Sequence, residues 1–213
     1  MDGPVASGKS AVGSLLATRL GFRFLDTGAM YRAFTWLLLE RGIGPRDQEA
    51  IASVARQLRM TISTTADAQS RIEVDGIEVT AFLVRPEVEA NVSDVSRLPI
   101  VRATMVEIQR EEARRGEIVV AGRDIGTVVL PAADLKVYLD ASREERARRR
   151  WEQARLRGET ISIENVLREL ERRDAIDSGR ELSPLRPAED ARILHTDGLS
   201  LEQVVERILA LAE

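Results

Sequence analysis

Eight residues near the start of the chain, Gly3-Pro-Val-Ala-Ser-Gly8-Lys9-Ser10, fit the pattern G-x-x-x-x-G-K-[ST]. The glycines let backbone N–H groups turn inward around phosphate oxygens, and a helix starting at Lys9 points its positive end at them. Gly3, Pro4, Val5, Ala6, Ser7, Gly8, Lys9 and Ser10 are therefore the expected ATP-binding loop. Within it the Lys9 ammonium reaches the terminal phosphates, and the Ser10 hydroxyl is a hard oxygen ligand suited to Mg²⁺. Chance gives the pattern in about one chain in a hundred of this length, and the helix pattern that follows decides for the functional reading.

Other residue types narrow the chemistry. The 213-residue chain has no cysteine, which excludes thiol catalysis and cysteine-held metals, and His195 is its one histidine. Of 31 basic residues only Lys9 and Lys136 are lysines, although the net charge is −4. Net acidity argues against nucleic acid as the main partner, whereas arginine forks in a local pocket suit phosphate oxygens. Arg143–Arg157 holds seven arginines and three glutamates, with i,i+4 pairs such as Glu145–Arg149. No run approaches the 18 or so apolar residues of a membrane span, and no signal peptide opens the chain, so it reads as cytosolic.

The elements that must position these groups alternate. Apolar periodicity predicts helices at Lys9–Leu20, Ala29–Arg41, Gln48–Leu58, Pro86–Val95, Pro99–Arg115, Ser142–Arg157, Ser162–Ile176 and Ser200–Leu211. Strands are predicted at Phe22–Leu25, Glu117–Ala121, Leu135–Leu139 and Arg192–His195. Strands alternating with helices indicate an α/β fold with a parallel sheet flanked by helices. Residues 60 to 80 switch to period two around Asp75-Gly76, a hairpin signal, which suggests a small antiparallel β insert. Trp36 and Trp151 read as packing residues, and His195, at a strand end, as structural.

A motif of the Gly3–Ser10 kind should follow a buried strand, yet only Met1 and Asp2 precede it. The expectation is a trimmed chain start and a chain that is unstable or inactive as it stands. An upstream apolar strand of roughly five residues should restore it.

Asp2-Gly-Pro-Val-Ala-Ser-Gly-Lys-Ser10, Leu25-Asp-Thr-Gly-Ala-Met-Tyr-Arg32, Ala121-Gly-Arg-Asp-Ile-Gly-Thr-Val-Val129 and Leu139-Asp-Ala-Ser142 together resemble the bacterial cytidylate kinase family. The resemblance covers almost the whole chain. It implies a P-loop nucleoside monophosphate kinase, a single domain over 1–213 that uses ATP and Mg²⁺. The β insert, taken as 60–97, would be the CMP-binding subdomain, and 143–180 an arginine-rich helical lid over the ATP phosphates. By resemblance, Arg32 and Arg123 hold the CMP phosphate, and Thr27, Ser93, Arg102 and Arg180 contact cytosine. Arg173 and Asp177 match positions at the ribose. Asp124 either stays near the metal through water or anchors Arg123. Arg146, Arg149 and Arg150 are the lid candidates, with Arg149 and Arg150 set beside Lys9 and Arg123 as catalytic.

The chemistry agrees with that inventory. A nucleoside monophosphate is largely ionised at pH 7, so its phosphate needs no strong general base. Transfer needs two phosphate groups neutralised in line, and water kept away from ATP. The expected reaction is transfer of the γ-phosphoryl of MgATP to CMP or dCMP by a monomer that binds neither nucleic acid nor membrane. The rivals are a shikimate- or gluconate-type kinase, and a nucleotide-binding module without turnover.

Overall fold

The computed structural model describes residues 1–65, 70–180 and 182–212. Helix α1 (Lys9–Leu20) follows the glycine loop. Strand β1 (Arg23–Asp26), α2 (Thr27–Glu40), α3 (Gln48–Gln57), β2 (Met60–Thr64), β3 (Ser70–Val74) and β4 (Ile77–Glu78) come next. Then follow α4 (Pro86–Ser96), α5 (Pro99–Ala113), β5 (Ile118–Ala121), β6 (Val137–Asp140), α6 (Arg143–Leu156), α7 (Ile163–Ser178), β7 (Arg192–His195) and α8 (Leu201–Ala212). Local chemistry sets most helix starts. Asp26, Asp47, Ser142 and Ser162 cap α2, α3, α6 and α7 by accepting from backbone N–H groups three residues on. Pro86 and Pro99 open α4 and α5, where a missing N–H costs nothing. Among the described residues no helix is long and apolar enough to cross a membrane.

The chain divides into two compact units, Met1–Leu16 with Gly122–Glu213, and Ala17–Ala121. In the second unit β1 and β5 pair in parallel, Phe24 opposite Val119 and Asp26 opposite Ala121. The antiparallel sheet β2-β3-β4 turns at Asp75-Gly76, where both residues have positive φ (52° and 81°), the type I′ geometry that the dipeptide predicts. The other edge of β1 is closed by hydroxyls of that sheet. Thr64 Oγ1 accepts from Phe24 N–H (3.3 Å), and Ser70 Oγ accepts from Asp26 N–H (3.1 Å) while donating to Phe24 O (3.0 Å). Helix α2 packs on α4 and β3, and α3 on α5, burying Met30, Phe34, Leu38, Ile51, Ile72 and Met105 completely. Trp36 stacks on Phe82, with ring centroids 5.7 Å apart.

In the first unit β6 and β7 pair in parallel, Val137 opposite Arg192 through Asp140 opposite His195. Asp2 forms one parallel bridge with Tyr138, its N–H donating to Val137 O and its carbonyl accepting from Leu139 N–H, both at 2.8 Å. That bridge lies where the sequence predicts a strand leading into Gly3. Helices α6 and α7 pack together around Val5, Ala147, Val166 and Leu170. Trp151 closes this cluster, and its indole N–H donates to Ile161 O (3.1 Å). Two elements have no counterpart in the sequence reading: a 3₁₀ turn at Thr80–Phe82 and a π-helical turn at Ile125–Val129.

Candidate active site

The glycine loop has the backbone that an anion cradle requires. Gly3, Ala6 and Gly8 all have positive φ, 148°, 60° and 94°. At Gly3 a Cβ would lie 2.2 Å from Leu139 O, so no other residue fits against β6. Helix α1 begins at Lys9, with its N-terminal amides at the end of the loop. Lys9 is 8% exposed, and its ammonium donates to Pro4 O (2.6 Å) and Ser7 Oγ (3.2 Å), so it folds back over its own loop. Ser10 is exposed on the first turn of α1.

Three arginines from distant parts of the chain each donate to a loop carbonyl. Arg123 Nη1 reaches Gly3 O (3.3 Å), Arg146 Nη1 reaches Val5 O (3.2 Å), and Arg149 Nη1 reaches Ser7 O (3.4 Å). Each is also oriented by a second group. Arg146 is 6% exposed and pairs with Asp174 at 2.7 Å. Arg149 pairs with Glu145 (2.8 Å) and donates to Thr196 Oγ1 (3.0 Å) and Thr196 O (2.7 Å). The hydrogen bond from Arg148 holds the Glu145 carboxyl below its ordinary value against burial, with Arg149 adding to it. Arg150 is half-buried on the same helix.

Asp177 gathers Arg123, Arg180 and Arg173. It accepts from Arg123 Nε at 2.8 Å and from Arg180 Nη2, and Arg173 acts on it electrostatically. Burial pushes its carboxyl up, but Arg123, Arg180 and Arg173 together outweigh burial and hold it below the ordinary carboxylate range. Asp177 therefore anchors Arg123. Asp124, 4% exposed, accepts at its backbone carbonyl from Val128 and Val129.

In the Ala17–Ala121 unit, the Thr27 hydroxyl donates to Ala121 O (2.9 Å), joining the start of α2 to the end of β5. Arg32 lies 3.5 Å from Asp26. Arg102 is 5% exposed; its guanidinium sits 5.7 Å from the Tyr31 ring centroid and donates to Ser96 O (3.4 Å). The Ser96 hydroxyl in turn donates to Ser93 O (3.2 Å), and Ser93 is 3% exposed on α4. His195 is exposed, 3.6 Å from Asp140.

Sequence reasoning missed the groups that orient the arginines: Asp174, Thr196 and Asp26. Asp26 alone had a local signal, since it stands at a helix N-cap within the Leu25–Arg32 motif.

Among the described residues no cluster of acidic or histidine side chains could hold a metal alone. The available donor set fits Mg²⁺ delivered with a nucleotide: one hard hydroxyl at Ser10, with phosphate and water oxygens for the rest of the shell.

Comparison with known proteins agrees with this chemistry. The family model described as cytidylate kinase matches residues 1–213. A cytidylate kinase of Desulfitobacterium hafniense (strain Y51) is 46% identical over 211 residues, 99% of this chain and 90% of that protein. One of Carboxydothermus hydrogenoformans is 44% identical over 209 residues, 98% and 94% of the two chains. A bifunctional pantoate ligase/cytidylate kinase of Synechococcus sp. (strain JA-3-3Ab) is 46% identical over 213 residues, 99% of this chain and 39% of the longer protein. A match from the first residue to the last, with relatives this similar over most of their own length, makes this chain a member of the cytidylate kinase family, with that family's α/β phosphate-loop fold.

Proposed function

We infer that this chain transfers the γ-phosphoryl group of MgATP to CMP, giving CDP and ADP. A non-bridging oxygen of the CMP phosphate attacks the γ-phosphorus, and the bond from that phosphorus to the β,γ-bridging oxygen breaks. The observation that supports this best is the phosphate loop with Arg123, Arg146 and Arg149 on alternate carbonyls. Guanidinium groups beside such a loop supply the charge neutralisation that transfer requires. Lys9 leaves Pro4 O and Ser7 Oγ to take the β- and γ-phosphates. When bound, Mg²⁺ supplies Lewis-acid neutralisation of β- and γ-oxygens, with Ser10 as its protein ligand.

On the acceptor side, Arg123 and Arg32 take the CMP phosphate, and Thr27, Ser93, Arg102 and Arg180 take the cytosine. Arg173 and Asp177 take the ribose, and Asp124 either stays near the metal through water or helps to anchor Arg123. Residues 60–97 serve as the CMP-binding subdomain and 143–180 as the lid, in which Arg146, Arg149 and Arg150 close on the ATP phosphates. The acceptor is CMP or dCMP and the protein acts as a cytoplasmic monomer, while its net charge of −4 weighs against nucleic acid as a partner.

An ADP-release assay with CMP, dCMP, UMP, AMP and shikimate as acceptors tests the reading. Turnover with CMP and dCMP is expected. Preference for shikimate, or ATP binding without CMP-dependent ADP release, would overturn it.

A further inference from the structure

Met1, Asp2 and Gly3 make four hydrogen bonds with the segment that carries Arg123. Gly122 N–H donates to Met1 O (2.9 Å), and Arg123 Nη1 donates to Gly3 O (3.3 Å). Ile125 N–H donates to Asp2 Oδ1 (2.7 Å) and Gly126 N–H to Asp2 Oδ2 (2.8 Å). The backbone of Asp2 is itself fixed, by its two bonds to β6. Its carboxylate, in a residue 4% exposed, therefore relays the position of the phosphate loop to residues 125 and 126. The approach is tight at Gly126, where a Cβ would lie 3.3 Å from Asp2 Oδ2 and 3.1 Å from Lys136 Cδ. A carboxylate that accepts two adjacent backbone N–H groups fixes both distance and angle, and its charge shortens the bonds. An amide at the same place would turn an NH₂ toward one of those N–H donors.

We propose that Asp2 is a positioning residue that holds Arg123 in register with the phosphate loop. The proposal rests on the reading of Arg123 as a ligand of the acceptor phosphate. Donor and acceptor groups must lie in line, and a displacement of about 1 Å can cost a factor of roughly 100 in rate. Arg123 is one end of that alignment and the loop is the other. Asp2 ties the loop to residues 125 and 126, two and three positions beyond Arg123.

The test is a double-mutant cycle on the full chain, with Asp2→Asn, Arg123→Ala and their combination, and Gly126→Ala as a second way to disturb the same contact. Steady-state rates are measured against CMP at enzyme concentrations that keep slow variants visible, and ATP affinity by calorimetry. Asp2→Asn and Gly126→Ala should each lower kcat/KM for CMP by about tenfold or more, with the ATP Kd within about threefold of wild type. In the Arg123→Ala background the further loss from Asp2→Asn should shrink below about threefold, because residues acting as one unit are not additive. Equal losses in both backgrounds would overturn the proposal, as would an ATP affinity that falls as far as kcat/KM. If Asp2→Asn does not fold, Gly126→Ala with and without Arg123→Ala gives the same comparison and decides it. A wild-type chain that ignores CMP overturns the function and the clamp together. A wild type that uses CMP, with additive losses in the variants, overturns the clamp alone.

Discussion

Replacing Asp177 by Asn removes a negative charge that faces Arg123, Arg180 and Arg173 and leaves the volume unchanged. Taking one partner from a buried ion pair costs about 3–5 kcal/mol. The Arg123 side chain keeps 22% of its exposure, so water screens part of the loss and about 3 kcal/mol is the better figure. For a domain of this size that is a fall in Tm of about 6–12 °C at pH 7. The sign with pH follows from the lowered carboxyl. A depressed folded value stabilises above the unfolded value of about 3.9 and loses that stabilisation as pH falls through the folded one. The melting temperatures of wild type and Asp177→Asn should therefore converge as the pH falls below that unfolded value of about 3.9. Inorganic phosphate should raise the variant's Tm more than the wild type's, because the anion replaces the missing charge. Calorimetry across pH, with and without phosphate, reads all three effects. A Tm within about 1 °C of wild type at pH 7, or a gap that does not shrink in acid, would refute the charge argument.

Lys9→Ala should lose at least about 3 kcal/mol of transition-state stabilisation, roughly two orders of magnitude in kcat, with the fold intact; near-normal turnover would remove the phosphate loop from the mechanism. Arg32→Ala and Arg123→Ala should each cost about 2–5 kcal/mol in kcat/KM for CMP and leave ATP affinity intact. Loss of ATP affinity with CMP use preserved would reverse the division of donor and acceptor groups. Thr64→Val with Ser70→Ala should expose the N–H and C=O groups at the edge of β1, at about 1–3 kcal/mol for each group left unpaired. The hydroxyl-keeping Thr64→Ser should melt like wild type, and a double variant as stable as wild type would show that the edge needs no cover.

Elements driven by local signals were legible in the sequence. Lys9–Leu20, the Asp75-Gly76 hairpin and Arg192–His195 stand where apolar period and turn chemistry put them. The helix predicted to start at Ala29 starts instead at Thr27, because the Asp26 carboxylate caps it by accepting from Ala29 N–H. The π-helical turn at Ile125–Val129 was not legible, for a physical reason: its first two N–H groups are bonded by Asp2, more than 120 residues away. Strand β6 likewise slides from the predicted Leu135–Leu139 to Val137–Asp140, since its register is set by Asp2 on one side and Arg192–His195 on the other.

The candidate site divides in the same way. A contiguous loop that binds phosphate through its own backbone can be read in eight residues, but an arginine has no such local reading. The sequence showed many guanidinium groups and could not say which acid holds which. That pairing is what converts surface charge into a site. A bare cluster of buried guanidinium groups would repel itself, so each needs an acid to stay in place before substrate arrives. Asp177 is one such acid: it accepts from Arg123 and Arg180 and is acted on by Arg173. Arg123 and Asp177 stand 54 positions apart in the chain, so no single segment carries the signal of their pairing, and only the fold brings the two together.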